Sequence, residues 1–209
     1  MSDLFPDSVI LIFAKAPVLG QVKTRLQPEM TLDEALSAHI ELTKMTLNRA
    51  FEASICPVKL YCAPNTEHVF FKSIARNFPV QLVQQNGDDL GQRMANAFIQ
   101  ELFIYRHVIL IGCDCPSLTS ADFHFAFRAL HEGYDVVVAP AEDGGYVLLG
   151  MNAYQVALFQ DMPWSSPQLM PQTRRAIQEA GLQAFEMPMQ WDVDVYRDWQ
   201  RFLSNKKMN

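Results

Sequence analysis

The sequence is poor in the features that mark secreted, membrane-bound or nucleic-acid-coating proteins. It has four cysteines in 209 residues: Cys56, Cys62, Cys113 and Cys115. That is too few for a disulfide scaffold. Cys113-Asp114-Cys115 lacks both CxxC spacing and a matching second pair, so it reads as packed, reduced thiols rather than a zinc site. The longest apolar runs, such as 9–14 and 108–111, are far too short to span a membrane, which takes roughly 20 residues. No basic region precedes the first apolar run, so the expectation is a cytoplasmic chain without a signal peptide. There is no excess of positive charge either. Seventeen Lys and Arg stand against 23 Asp and Glu, a net charge of -6. That balance argues against nucleic acid or a membrane surface as partner, while leaving room for a small basic pocket. Repeats, low-complexity tracts and Gly/Pro/Ser-rich linkers are also missing. With 49% hydrophobic residues, the chain reads as one globular domain over 1–209.

What is present is an alternation of apolar, β-rich runs with helical patterns. Strands are predicted at 9–14, 58–62, 80–84, 107–113, 135–140 and 146–151, with a short one at 184–187. Helices are predicted over 31–53, 67–76, 89–105 and 195–203, from Thr119 onward, and from Ser166-Pro167 to a stop at Gly181. Thr31 and Glu34 have the spacing of a capping box, and Leu32, Leu36, His39, Ile40 and Leu47 then recur at helical spacing. Such alternation implies an α/β fold with a mostly parallel sheet and helices on both faces. Ligands of these sheets sit at the carboxyl ends of the strands, where the strand order switches.

The loops after the strands carry the chemistry. After the first come Lys15, Gly20, Lys23, Thr24 and Arg25, a set suited to gripping an oligophosphate. No Walker loop can be aligned there, and a solvated basic loop is an equal reading. Asp114 follows the most apolar strand, placed to hold Mg²⁺ or Mn²⁺ or simply to make a turn. Asp143-Gly144-Gly145-Tyr146 is either a hairpin or a backbone that must approach a ligand. Asp192 and Asp194 are either helix caps or further oxygen ligands for a hard cation.

In order along the chain, six segments resemble the motifs of the glycosyltransferase-A-like family DUF2064. They are Phe13-Ala14-Lys15-Ala16-Pro17 with Lys23-Thr24-Arg25-Leu26; Asp89-Leu90-Gly91-Gln92-Arg93-Met94; Gly112-Cys113-Asp114-Cys115-Pro116-Ser117-Leu118; Asp143-Gly144-Gly145-Tyr146 with Gly150; Pro163-Trp164-Ser165; and Asp192-Val193-Asp194 with Asp198. Ser166 departs from the threonine of the pattern but keeps its hydroxyl. The group is related to nucleotide-diphospho-sugar transferases and to nucleotidylyltransferases, including those that guanylylate phospholactate and the molybdenum cofactor.

The resemblance implies a Rossmann-like glycosyltransferase-A fold binding a nucleotide or nucleotide sugar beside a small-molecule acceptor. It implies a divalent metal, Mg²⁺ or Mn²⁺, on Asp114 and Asp194 with Asp192 beside them. Lys15, Gly20, Lys23, Thr24, Arg25 and Arg93 would face the nucleotide and its phosphates, and Asp143 and Tyr146 the acceptor. The expected activity is metal-dependent glycosyl transfer from a nucleotide-diphospho-sugar. The alternatives are nucleotidylyl transfer from a triphosphate to a phosphorylated acceptor, and a non-catalytic nucleotide-binding module.

Overall fold

The computed structural model describes residues 4–208; the reading of the first three residues lies outside it. Seven strands form one sheet: β1 (Ser8–Lys15), β2 (Val58–Ala63), β3 (Gln81–Gln84), β4 (His107–Gly112), β5 (Val136–Pro140), β6 (Tyr146–Met151) and β7 (Ala184–Glu186). Their order is β3-β2-β1-β4-β6-β5-β7. The chain runs outward from β1 to β3, then returns to β4 on the other side of β1. The switch point is therefore the gap between the carboxyl ends of β1 and β4.

Six helices accompany the sheet: α1 (Leu32–Ala53), α2 (Val69–Asn77), α3 (Leu90–Leu102), α4 (Ser120–His131), α5 (Leu169–Glu179) and α6 (Tyr196–Met208). β1 shows why both faces are covered. Val9 to Ala14 are all buried, and alternate residues join opposite cores. Ile10, Ile12 and Ala14 pack with Leu47 of α1, Phe71 of α2 and Phe127 of α4. Val9, Leu11 and Phe13 pack with Phe98 of α3 and Ile177 of α5. A period of two with both faces apolar requires a helical layer on each side. A smaller cluster joins Leu42 of α1 to Trp199 and Phe202 of α6. No helix among the described residues is long and apolar enough to cross a membrane.

The sheet is parallel except around β6, which runs antiparallel to both β4 and β5. The Asp143-Gly144-Gly145 segment is thus a true hairpin turn. Helix ends differ modestly from the sequence pattern. α3 stops at Leu102, and Phe103 and Ile104 beyond it are exposed. α5 starts at Leu169 rather than at Pro167, because Ser165 has a positive φ of 59° and Ser166 Oγ accepts the Gln168 N–H in a local turn. The Thr31/Glu34 capping box is formed, with Glu34 N–H donating to Thr31 Oγ1.

Candidate functional site

A cleft of about 760 Å³ opens at the switch point. Three chain segments build it. The first leaves β1 at Lys15, whose ammonium donates to the Gln21 carbonyl at 2.9 Å and curls the loop back on itself. Gly20 serves this turn with φ 75° and lies outside the lining. Lys23 adopts the left-handed region at φ 48°, uncommon for a side chain with a Cβ, and precedes a single 3-10 turn over Thr24–Leu26. The second segment is Gly112-Cys113-Asp114 at the end of β4. The third, Gln190 to Asp194, is stitched to both sides. Gln190 N–H donates to Pro140 O at 2.8 Å, Trp191 N–H to Ser117 Oγ at 2.8 Å, and Val193 N–H to Asp114 O at 2.9 Å. These bonds bring residues 50 to 79 positions apart in sequence to one wall.

Lys15, Lys23, Thr24, Arg25, Arg93, Asp114, Asp143, Tyr146, Asp192 and Asp194 all line the cleft. Their arrangement is one of interleaved charge. Lys23 Nζ donates to Asp114 Oδ2 at 2.8 Å and to Val193 O at 2.6 Å, and Arg25 donates to Asp194. Burial works against the Lys23 ammonium, but Asp114 outweighs it and raises the pKa. Burial likewise opposes the Asp114 carboxylate, and Lys23 outweighs it and lowers that pKa. Asp192 has no such partner among the described residues. Burial first, then the charges of Asp114 and Asp143, push its carboxyl up to about 7. Negative charge is therefore in excess at Asp192, which is the setting a divalent cation relieves.

A stability prediction follows from that raised pKa. The folded chain binds the Asp192 proton more tightly than the unfolded chain, so stability is lost as pH rises through about 7. Asp192→Asn should raise the unfolding temperature at pH 8 and leave it unchanged near pH 4, checked by thermal melts across pH.

Tyr146 lines the cleft. Its hydroxyl is buried with no hydrogen-bond partner among the described residues, and burial raises its pKa. It does not present a free hydroxyl to solvent. Asp143 is braced by the Gly145 N–H at 2.8 Å. The hairpin itself docks on the 163–167 segment. Gly144 has φ 90°, and a Cβ there would stand 2.4 Å from Pro167 O.

Gly91 meets Trp164 even more closely, since a Cβ would lie 2.2 Å from the indole nitrogen. Gly91→Ala is expected to push Trp164 and the adjoining Ser165-Ser166 wall outward, costing roughly 1–3 kcal/mol. Denaturant unfolding checks it.

Sequence reasoning missed His39, which is read there as an apolar helix position. It lines the cleft with Nε2 2.8 Å from the Lys15 carbonyl, and burial lowers its pKa. Gln85 also lines it, tying β1 to β2 through the carbonyls of Ala14 and Tyr61. A polar residue on an otherwise buried helix face was the available signal for His39. The Cys113 and Cys115 thiols are buried, which pushes both up to about 11. They are protonated at neutral pH, so neither is an activated nucleophile.

Among solved structures, one from Desulfovibrio desulfuricans G20, provisionally named a nucleotide-diphospho-sugar transferase, matches with a TM-score of 0.82 and 28% identity. The match covers 91% of this chain and 84% of that one. CMP:2-keto-3-deoxy-manno-octonic acid synthetase complexed with CTP matches at TM-score 0.62 and 11% identity, over 97% and 99% of the two chains. Rv0371c of Mycobacterium tuberculosis H37Rv, complexed with manganese, matches at TM-score 0.53 and 16% identity, over 96% and 99%. The last two likenesses show the fold alone. No curated protein matches the sequence. The profile of DUF2064, described as an uncharacterized protein conserved in bacteria, matches residues 46–166, more than half of the chain. That span holds the Arg93, Asp114 and Asp143-Gly144-Gly145-Tyr146 segments of the cleft, and the chain belongs to the DUF2064 family.

Proposed function

We propose that the protein is a metal-dependent, nucleotide-using transferase, and specifically a glycosyltransferase with a nucleotide-diphospho-sugar donor. The observation that carries this is the pairing of Lys23 with Asp114 and Arg25 with Asp194. Four cations of the cleft, Lys15, Lys23, Arg25 and Arg93, are matched by Asp114, Asp143, Asp192 and Asp194. With Asp192 only partly ionised near pH 7, the site has little net positive charge to offer a diphosphate. A divalent ion that drew Asp114, Asp192 and Asp194 together, two of them now held by Lys23 and Arg25, would correct that balance, and an all-carboxylate set suits Mg²⁺ or Mn²⁺. When bound, such an ion supplies neutralisation of charge on the departing diphosphate. The chain's own residues do the rest. Lys23 and Arg25, released from their carboxylates, turn to the phosphate oxygens, and Lys15 and Arg93 add charge at the rim. Asp143 takes the proton of the acceptor hydroxyl as the sugar–diphosphate bond breaks and the sugar–acceptor bond forms. The Desulfovibrio desulfuricans structure provisionally named a nucleotide-diphospho-sugar transferase and the manganese complex of Rv0371c support this reading by analogy.

The alternative is nucleotidylyl transfer, which needs charge for three phosphates and an acceptor phosphate. Arg174 and Arg175 of α5 are the candidates for the extra charge, but neither lines the cleft, and Arg174 makes a two-pronged bond to Glu186 at 2.9 and 2.7 Å. That favours glycosyl transfer. Mass spectrometry of products from mixed nucleotide sugars, triphosphates and a metabolite extract separates the two. Release of nucleoside diphosphate from a nucleotide sugar supports the proposal. Pyrophosphate from a triphosphate, without turnover of nucleotide sugars, makes the chain a nucleotidylyltransferase.

The loop makes its own prediction. Lys23→Ala should weaken a nucleoside diphosphate more than about tenfold while leaving the nucleoside nearly unaffected, since charge-assisted bonds are worth roughly 1.5–3 kcal/mol. Arg25→Ala should act in the same direction but less, because the Arg25 side chain is 69% exposed. Calorimetry with both ligands reads the difference, and an unchanged diphosphate affinity makes the loop a solvated surface.

A further inference from the structure

At the opposite edge of the sheet, where β1 and β4 begin, Asp7, His107 and His131 converge. We propose that these three side chains form a second metal site, independent of the cleft and selective for a zinc-type divalent transition ion. One ligand atom from each lies within 4.8 Å of the others. His131 Nε2 stands 3.6 Å from Asp7 Oδ1, and the two imidazole rings are 4.0 Å apart between centroids. Ligands held at about 2 Å from one ion are at most about 4 Å apart, so a contraction of the triad by about 1 Å closes the set.

The positions of the three residues are fixed by the fold. Asp7 is held through its carbonyl, which accepts Arg106 N–H at 2.8 Å and His107 N–H at 3.3 Å. Ser8 pairs with His107 in the parallel register of β1 and β4. His131 ends α4, with its ring 4.8 Å from that of Phe5.

The decisive contact is Asn152. Its Nδ2 donates to Leu130 O at 3.2 Å and to Tyr134 O at 2.8 Å, which uses both amide hydrogens and fixes the amide orientation. Its Oδ1 therefore faces His107 Nδ1, at 2.6 Å. A carbonyl oxygen cannot donate, so Nδ1 must carry the proton of the neutral ring. The Nε2 lone pair is then the one His107 can offer a metal ion. A carbonyl bound to the far nitrogen is how proteins orient a metal-ligating histidine. Two imidazoles and one carboxylate suit Zn²⁺ rather than Mg²⁺ or Ca²⁺, which prefer all-oxygen shells. Three protein ligands leave one position for water. The ion would tie residues ahead of β1 to β4 and to the end of α4.

The test is Zn²⁺ calorimetry with the full, untagged chain in excess Mg²⁺, with thermal unfolding in parallel. The expected result is one Zn²⁺ per chain, a raised unfolding temperature, and no change with Asp114→Asn. His131→Ala, at an exposed position, should weaken Zn²⁺ by at least about tenfold, with circular dichroism confirming the fold. His107→Gln/His131→Ala should abolish binding. Substoichiometric Zn²⁺, retention by the double variant, or loss with Asp114→Asn instead would overturn the proposal. None of these readouts depends on transferase activity.

Discussion

An Asp114→Asn variant is expected to lose at least about 100-fold in turnover, and its dependence on divalent metal, while its unfolding temperature moves by only a few degrees. The two effects separate because of where Asp114 sits. Its side chain is 38% exposed into the cleft and receives the Lys23 ammonium at 2.8 Å. The amide of Asn keeps an oxygen for that ammonium, which also keeps the Val193 carbonyl at 2.6 Å. The buried Lys23 is therefore not orphaned, and the partial exposure of Asp114 screens what charge interaction is lost. Function has no such fallback. A neutral amide oxygen replaces one of three carboxylates in a site whose charge is already only balanced, so a diphosphate meets a weakly held cation or none. Turnover, metal titration and circular dichroism on one preparation check the separation. Turnover within a few-fold of the parent would make Asp114 merely the counter-ion of Lys23.

The cleft was readable in outline because strand ends in a parallel sheet are where buried order meets solvent, and residues there stand out against apolar neighbours. Lys23, Asp114 and Asp194 were singled out on that ground. Their pairing was not readable, since Lys23 and Asp114 are 91 residues apart in sequence and meet only through the β1–β4 register. Tyr146 shows the same limit from the other side. The resemblance implied that it faces the acceptor, and the burial of its hydroxyl at the start of β6 had no signal in the sequence. The antiparallel course of β6 was foreshadowed only by the Asp-Gly-Gly hairpin signal. Capping was legible at Thr31 because a cap is a local contact over three residues. The Asp7, His107 and His131 cluster had no local signal, because its members come from three separate elements.

The largest loss of stability is expected from Lys59→Met, on the order of 10 °C in unfolding temperature. Lys59 is a charged residue in a strand whose other positions are buried and apolar, apart from Tyr61. Its Nζ reaches Glu101 Oε2 of α3 at 2.7 Å, and the two side chains are 8% and 0% exposed. Tyr61 Oη donates to the other oxygen, Oε1, at 2.7 Å. Burial, then the bond to Glu101, raises the Tyr61 pKa and keeps it a donor. The ammonium also lies 5.2 Å from the Tyr105 ring centroid. Both ions are thus paired, and the Coulombic gain about offsets the cost of burying them. Methionine keeps most of the volume of lysine but leaves the Glu101 carboxylate buried with a single neutral donor, a loss of about 3–5 kcal/mol. Glu101→Leu alone should cost a similar amount by stranding the ammonium. The double variant Lys59→Met/Glu101→Leu should recover most of the stability, since an apolar pair of similar volume needs no desolvated charge. Tyr61 then loses its acceptor, which leaves the double variant about 1 kcal/mol or more below the parent. A thermodynamic cycle from denaturant melts measures the coupling, and additive single losses would show that Lys59 and Glu101 act independently.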